Sequence, residues 1–318
     1  LGFLKGKSIR AVDNVSFKLP ENDPTIKALV GESGSGKTTI ARLILGLTKP
    51  TSGEILYKGK DVAYWLKKDR MTYRREVQAI FQDPYSVYNP VYKVDRILEL
   101  AVKKFNLAKS HEEAKNLIVD QLKAIGLRPN DVLGRFPHQL SGGERQRLML
   151  VRIFLMKPRL IVADEPTSMI DVSLQAMFLD TLIEFKRKYG ISCIYITHDI
   201  NTTYYLADGV EMMYHGKIVE RGQARSIIKE PLHPYTRLLM NSIPNPDPEK
   251  RWKGKLETKV TALRDLKAGL RCPFYNRCPD AISICKEDDP SLVNVEPDRE
   301  VACFLYAEKM RESGKKGA

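Results

Sequence analysis

Residues 25–40, TIKALVGESGSGKTTI, decide the fold of this chain. The apolar run at 25–30 predicts a short buried strand, and the residues from 40 to 47 predict a helix. Between them, residues 31–38 match the phosphate-loop pattern G-x-x-x-x-G-K-[ST] in full. A glycine-rich turn between a strand and a helix lets backbone N–H groups surround phosphate oxygens without obstruction by side chains. The segment therefore predicts a strand–loop–helix unit that binds a nucleotide.

The residue types within this loop suit a triphosphate and its magnesium ion. We expect Lys37 to bridge the β- and γ-phosphates and the Thr38 hydroxyl to ligate Mg²⁺. The remaining predicted nucleotide-binding residues are Gly31, Ser33, Gly34, Ser35, Gly36 and Thr39. The loop thus predicts a nucleoside triphosphate and Mg²⁺ as the bound groups.

A second apolar segment, at 160–163, ends in two acidic residues. It is apolar without alternation, as expected of a buried parallel strand, and Asp164 and Glu165 follow directly. An aspartate at the end of such a strand can hold Mg²⁺ through water, and the adjacent glutamate can polarise an attacking water as a general base. A solvated acidic turn is the alternative, and the phosphate loop upstream disfavours it.

Strand-like and helix-like segments alternate along most of the chain. Further strands are predicted at 11–17, 53–57, 77–81 and 191–196, and a helix that Gly190 ends is predicted at 172–189. This alternation favours an α/β layered fold with a parallel sheet. Between 84 and 149, apolar residues recur at three- and four-residue spacing instead, which predicts a helical insertion.

Residues 140–147, LSGGERQR, place two glycines just before a helix-forming stretch. Backbone N–H groups at such a helix start favour an anion. The run resembles the signature motif of the ABC (ATP-binding cassette) ATPases. This resemblance implies ATP as the nucleotide, and it implies that Ser141, Gly142, Gly143 and Glu144 act on an ATP molecule held by a different subunit.

Other motifs resemble the same family in the expected order. Gln82, in IFQDP, matches the glutamine that senses Mg²⁺ and the γ-phosphate, and His198, in ITHDI, matches the switch histidine. Ser168 to Asp171, SMID, stand where the family usually has SALD, so Ser168 and Asp171 are the D-loop residues. Phe3 is the candidate for stacking on adenine. The resemblance implies Glu165, His198 and Gln82 as catalytic residues and Thr38, Gln82 and Asp164 as magnesium ligands.

The C-terminal part, after Pro231, differs in composition, with clustered prolines and then four cysteines. This composition predicts a separate appendage. His233-Pro234-Tyr235-Thr236 and the cysteines resemble the C-terminal extension of oligopeptide and dipeptide importers. The resemblance implies that a [4Fe–4S] cluster is held by Cys272, Cys278, Cys285 and Cys303. The residues alone leave Zn²⁺, or unligated or paired thiols, as alternatives, and Cys193 is expected in the core.

Together these features predict an ABC-type phosphate-loop ATPase, an α/β fold whose mixed or parallel sheet is flanked by helices. The predicted core, which is RecA-like, covers 1–83 and 150–230 and is interrupted by a helical signature subdomain at 84–149. A small cysteine-rich extension occupies 231–318.

The bulk properties set further limits. The 318 residues carry 52 Lys and Arg against 39 Asp and Glu, a formal charge of +13, but the charges are interleaved and predict no nucleic-acid partner. No stretch reaches the roughly 18 apolar residues of a membrane span, and the N-terminus has no secretory pattern. We therefore expect a soluble, intracellular protein.

The predicted function is ATP hydrolysis that powers oligopeptide or dipeptide import, as a peripheral subunit on the cytoplasmic face of the membrane. The implied partners are a second, non-identical ABC ATPase, two transmembrane permease subunits and, indirectly, an external solute-binding protein. Import of oligosaccharides is the first alternative. A DNA-repair or chromosome ATPase is disfavoured because no long coiled coil separates the phosphate loop from the signature, and a translation-associated protein would carry two cassettes.

Overall fold

The computed structural model describes residues 10–82, 88–242 and 271–306. They divide into two compact units. Of the described residues, the signature unit comprises 18–27, 40–82 and 88–197, and the phosphate-loop unit comprises 10–17, 28–39, 198–242 and 271–306. Strand β1 (Ile26–Val30) and helix α1 (Lys37–Ile44) each have residues in both units.

The signature unit contains three parallel strands. Its elements are β2 (Leu56–Tyr57), β3 (Lys60–Asp61), α2 (Val62–Lys68), α3 (Arg70–Glu76), β4 (Val77–Ile80), α4 (Asp95–Lys104), α5 (His111–Ala124), α6 (Pro129–Val132), a 3-10 helix (Pro137–Gln139), α7 (Gly142–Leu155), β5 (Leu160–Asp164), α8 (Val172–Tyr189) and β6 (Ser192–Thr197). Strand β5 pairs in parallel with β4 on one side and with β6 on the other. Its residues are almost all buried, which explains an apolar run without alternation. The strands predicted at 77–81 and 191–196 are confirmed within one residue.

Helices α4 to α7 have a hydrophobic core of their own within this unit. Leu98, Ile118, Leu122, Leu148 and Val151 pack together there, each 4% exposed or less. The three- and four-residue spacing of apolar residues is thus realised as helix faces that pack against one another. Helix α8 has the predicted bounds, and Gly190 ends it with a φ of 67° in the left-handed region.

In the phosphate-loop unit the strands after β1 are antiparallel. Its elements are α9 (Ile200–Leu206), β7 (Gly209–Tyr214), β8 (Lys217–Gln223), α10 (Ala224–Lys229), α11 (Pro234–Asn241), a 3-10 helix (Tyr275–Arg277), α12 (Ile284–Glu287), β9 (Val293–Glu296) and β10 (Arg299–Val301). The order of the strands here is β1–β7–β8–β10–β9. Parallel and antiparallel pairing therefore both occur, with flanking helices, which confirms the α/β core of the predicted fold class, whereas a small cysteine-rich extension is not shown as such.

The C-terminal residues are not the separate appendage that their composition predicts. Strand β10 pairs antiparallel with β8, with Val301 opposite Glu220. Arg299 donates a 2.9 Å hydrogen bond to Glu220, and both side chains are buried. The same carboxylate accepts the backbone N–H groups of Leu232 and His233. Because a buried carboxylate requires such partners, this part of the extension is anchored to β8 of the sheet.

No strand forms at 11–17: Asp13 N–H donates to the carbonyl of Gly216, and the residues around it adopt bends rather than a ladder. The predicted domain boundaries stay predictions. In the parts of the chain that the structure covers, no helix is long and apolar enough to cross a membrane.

Candidate functional site

The phosphate loop is held closed around the ammonium group of Lys37. Lys37 Nζ lies 2.6 Å from the carbonyl oxygen of Gly31 and 2.9 Å from that of Glu32, and the side chain is 5% exposed. The carbonyl of Ser35 accepts a 2.9 Å hydrogen bond from the N–H of Gly216, in the turn after β7. The loop is thus fixed both by its own lysine and by a distant turn of the same unit.

Two glycines of the loop could not be replaced without a shift of backbone. A Cβ at Gly31 would lie 2.2 Å from the carbonyl oxygen of Met213. Gly36 has a φ of 102°, and a Cβ there would lie 2.4 Å from the carbonyl oxygen of Ala11. The chain therefore presents bare backbone and a buried ammonium group at the start of α1, an arrangement that fits the phosphates of a nucleotide.

The acidic residues after β5 belong to the signature unit. Asp164 is the last residue of β5 and is 8% exposed. Glu165 follows with a φ of 48°, a conformation that non-glycine residues rarely adopt, and its N–H donates to the carbonyl of Ile196. Such strain tends to occur at functional sites, where the surrounding structure holds it in place.

The signature residues form the start of helix α7. Ser141 is its exposed N-cap: its hydroxyl accepts the N–H of Glu144, and the Glu144 carboxylate accepts the N–H and O–H of Ser141 at 2.8 Å each. The hydrogen bond from the Ser141 N–H is the main cause that lowers the pKa of Glu144. Gly143 is buried close to Leu174, where a Cβ would lie 2.6 Å from Cδ2. The signature thus forms a complete capping box by itself.

The other predicted residues end or begin regular elements. Asp171 caps helix α8 by accepting the N–H of Leu174 at 3.0 Å, and Ser168 Oγ donates to the carbonyl of Glu165. Gln82 and His198 are exposed, the latter directly after β6. Phe3 lies outside the described residues.

The predicted residues are divided between the two units. The phosphate-loop unit holds the loop itself, with Thr38 and Thr39, and His198. The signature unit holds Gln82, the signature, Asp164 with Glu165, and the D-loop.

Two residues of the C-terminal part contact the phosphate loop and were missed by sequence reasoning. Arg277 donates to both carboxylate oxygens of Glu32 at 2.8 Å, and the Glu32 N–H donates to the hydroxyl of Tyr235 at 2.9 Å. The Arg277 hydrogen bond is the main cause that lowers the pKa of Glu32. These pairs are 245 and 203 residues apart, so no local pattern could indicate them. The only local signal, for Tyr235, is the HPYT segment, which resembles that of oligopeptide and dipeptide importers.

The histidine of that segment has a structural role. His233 caps helix α11 by accepting the N–H of Tyr235 at Nδ1, and it is 3% exposed. Burial lowers the pKa of His233 to about 3. It is therefore neutral at physiological pH and can accept this hydrogen bond.

The four C-terminal cysteines line a single small cavity together with His233 and Phe274. All are free thiols, and burial raises the pKa of Cys278 to about 12 and that of Cys303 to about 11. The cavity has a volume of about 10 Å³, about the room one water molecule needs. Within residues 10–82, 88–242 and 271–306, no group of three or more His, Cys, Asp or Glu side chains could hold a metal ion. The arrangement does not fit an iron–sulfur cluster, and that prediction is not supported.

Cys193, by contrast, lies in β6 and is 2% exposed, so its predicted place in the core is confirmed.

Comparison with known proteins covers both halves of the chain. A family described as ABC transporter matches residues 12–168, and one described as oligopeptide/dipeptide transporter, C-terminal region, matches 219–285. The di/tripeptide transport ATP-binding protein DppF of Pseudomonas aeruginosa is 38% identical over 95% of this chain and 92% of its own length. The oligopeptide transport ATP-binding protein AppF of Bacillus subtilis is 36% identical over 94% and 90%.

Solved structures show the same fold. CbiO1 of Clostridium perfringens, part of an ABC transporter complex, aligns with a TM-score of 0.62 and 24% identity over 72% of this chain and 88% of its own. The ATP-binding cassette MJ0796, a dimer in a post-hydrolysis state with ADP and phosphate, aligns at 0.59 and 27% identity over 70% and 95%. With its phosphate loop, signature and C-terminal region in place, the chain belongs to the family of ATPase subunits of ABC-type oligopeptide and dipeptide transporters.

Proposed function

We propose that this chain hydrolyses ATP to drive the import of oligopeptides or dipeptides through partner membrane subunits. The observation that carries the proposal is the combination of a closed phosphate loop around Lys37 with a C-terminal region that matches peptide transporters. The relatives at 36–38% identity are named for peptide transport. No observation favours sugar import or DNA repair.

In the proposed reaction, the loop holds the triphosphate and a water attacks the γ-phosphorus in line. The new bond joins the water oxygen to phosphorus, the bond to the β–γ bridging oxygen breaks, and ADP and phosphate leave. Glu165 polarises the water and takes its proton. Lys37 neutralises charge on the phosphates, and His198 contacts the γ-phosphate.

Magnesium would neutralise the charge that develops on the phosphate oxygens. The chain offers the Thr38 hydroxyl, the Gln82 amide and the Asp164 carboxylate to hold it, which are oxygen ligands of the kind that this cation prefers. The position of Asp164 at the end of β5, next to Glu165, supports its part.

The proposal places Ser141, Gly142, Gly143 and Glu144 at the ATP of a second ATPase subunit. The exposed position of Ser141 supports this role. We infer that the partner ATPase is non-identical, that two permease subunits and an external solute-binding protein complete the transporter, and that the chain docks at the cytoplasmic face of the membrane.

The test uses the transporter assembled with its membrane subunits in proteoliposomes. Glu165→Gln should leave ATP binding in place while ATP hydrolysis and uptake of labelled peptide fall together, because the general base is lost. An unchanged rate of ATP hydrolysis in this variant would exclude the assigned chemistry. If the wild-type transporter takes up a labelled oligosaccharide but no labelled peptide, the assigned substrate is excluded.

A metal bound by Cys272, Cys278, Cys285 and Cys303 stays a prediction. The four cysteines line one cavity, but among the described residues no group of three or more His, Cys, Asp or Glu side chains is placed to hold a metal ion, and the size of the cavity opposes an iron–sulfur cluster. Iron, zinc and acid-labile sulfide measured in anaerobically purified protein would decide between a cluster, zinc and unligated thiols.

A further inference from the structure

Glu32 is an acidic residue inside the loop that has to receive a triphosphate. Its backbone carbonyl accepts a hydrogen bond from Lys37 Nζ at 2.9 Å, so the residue adjoins the ammonium group assigned to the phosphates. Its side chain is 40% exposed. A carboxylate without a counter-charge at this position would repel the phosphates and compete with them for Lys37.

The counter-charge comes from the cysteine-rich part of the chain. Both terminal nitrogens of Arg277 donate to Glu32, a two-point arrangement that fixes orientation as well as charge. The carboxylate in turn raises the pKa of Arg277, and Arg277 lowers that of Glu32. Both groups therefore keep their charges over the whole physiological pH range.

Arg277 is held in place by aromatic residues. Its guanidinium lies 5.7 Å from the ring centroids of both Tyr214 and Phe274. Phe274 is 2% exposed and packs against Tyr235, and the rings of Tyr214 and Tyr235 are 4.6 Å apart. The arginine thus lies on a packed aromatic cluster that limits its freedom to move away.

Tyr235 holds the backbone of the same loop residue. It is completely buried, and its hydroxyl accepts the Glu32 N–H at 2.9 Å. The side chain and the main chain of Glu32 are therefore fixed by two different segments, the 3-10 helix at Tyr275–Arg277 and helix α11. Cys278 follows Arg277 directly, so the arginine lies next to one of the four cysteines that line the cavity.

We propose that Arg277 and Tyr235 are positioning residues for ATP binding, through which the C-terminal extension neutralises and orients Glu32 so that the phosphate loop accepts a triphosphate. The inference rests on the proposed role of the loop and Lys37 in ATP binding. The extension would then raise the affinity of the loop for ATP, a role that its four cysteines alone do not suggest. By reciprocity of linkage, bound ATP also stabilises the extension.

The experiment measures the affinity of the purified full-length chain for a fluorescent ATP analogue. Arg277→Ala should weaken binding on the order of tenfold, the equivalent of about 1.4 kcal/mol. The double variant Glu32→Gln with Arg277→Ala should regain most of the lost affinity, because the uncompensated carboxylate is gone. Arg277→Lys, which keeps the charge but loses the two-point contact, should fall between the wild type and Arg277→Ala.

The matched control is Arg221→Ala. Arg221 donates from Nη2 to both carboxylate oxygens of Glu300 at 2.8 and 2.7 Å, and from Nη1 to the Ser16 carbonyl at 2.8 Å. Its side chain is 27% exposed like that of Arg277, and the pair joins β8 to β10 rather than the loop. It should lower Tm comparably while ATP affinity stays within about threefold of the wild type. Tyr235→Phe should weaken ATP binding about threefold, with or without Glu32→Gln.

Three results would overturn the inference. Arg277→Ala could bind the analogue as tightly as the wild type, the Glu32→Gln change could fail to restore affinity, or Arg221→Ala could weaken binding as much as Arg277→Ala. Lys37→Ala separates this inference from the proposed function. If the wild type binds no better than Lys37→Ala, the assignment of the loop fails; if it binds better and Arg277→Ala matches the wild type, only the role of Arg277 fails.

Discussion

The phosphate loop and the signature turn are both glycine-containing starts of helices, but they are stabilised in different ways. The loop before α1 depends on distant residues: the turn after β7 bonds to Ser35, and Arg277 holds Glu32. At the signature before α7, Ser141 and Glu144 form the capping hydrogen bonds with each other, within four residues. In the proposed function, the loop binds a ligand within its own chain and gains from rigid support, whereas the signature contacts another subunit and needs an exposed surface that holds its shape alone.

The strongest test of this difference compares Lys37→Ala with Ser141→Ala in the assembled transporter. Lys37→Ala should weaken ATP binding on the order of a hundredfold, because a buried charged donor to the phosphates is lost. Ser141→Ala should leave ATP affinity of this chain within about threefold but lower the rate of hydrolysis about a hundredfold, because the partner site loses a donor. Equilibrium binding to the isolated chain and steady-state hydrolysis by the transporter separate the two effects. Equal losses of ATP affinity in the two variants would contradict the division of roles.

A second test compares glycine substitutions in the two turns. Gly36→Ala should destabilise the fold by at least about 2 kcal/mol, because the new methyl group meets a backbone oxygen and the residue has a φ of 102°. Gly143→Ala should stay within about 1 kcal/mol of the wild type, because its neighbour is the flexible end of Leu174 and alanine favours a helix.

Urea unfolding of the two variants measures this difference directly. Gly53→Ala serves as a control for Gly36→Ala, since Gly53 also has a positive φ, 81°, but has open space around it. A smaller loss for Gly36→Ala than for Gly53→Ala would show that the close contact with Ala11 does not constrain the loop.

The smallest expected effect is the pH dependence of the stability that the capping box at the signature contributes. Hydrogen bonds from Ser141 lower the pKa of Glu144 below its ordinary value of 4.5, so the folded state is stabilised above that pH. This contribution is lost as the pH falls through the lowered pKa. Glu144→Gln should therefore cost less than about 1 kcal/mol at neutral pH and nothing at a pH where the carboxyl is protonated. A destabilisation by this variant that is the same at both pH values would show that the charge of Glu144 contributes nothing.

The parts of the site that the sequence predicts are those encoded by neighbouring residues. The loop glycines, Lys37, and the acidic pair after β5 are contiguous, and the chemistry of a strand followed by a turn restricts which residues can stand there. The helix at 172–189 was predicted with its bounds because Gly190 provides the left-handed end that such a helix needs.

The contacts that sequence reasoning missed join segments far apart in the chain. Nothing around Arg277 distinguishes it from other arginines, because its partner lies 245 residues away. The sequence does not predict the pairing of β10 with β8 either. Strand β10 has only three residues, one of them a buried arginine, so it shows no alternation of apolar and polar residues. The composition of the extension, rich in proline and cysteine, predicts a separate unit, whereas β10 pairs with β8 and Arg299 forms a buried ion pair with Glu220.

The pairing of β10 with β8 has a consequence for any shortened form of this protein. Removing residues 271–306 would leave one side of β8 with unpaired N–H and C=O groups, a template for strands of other molecules. It would also leave the carboxylate of Glu220, which is 0% exposed, without its arginine. A minimal ATPase that lacks these residues would therefore self-associate through an open sheet edge, and its behaviour would report on aggregation rather than on the catalytic core.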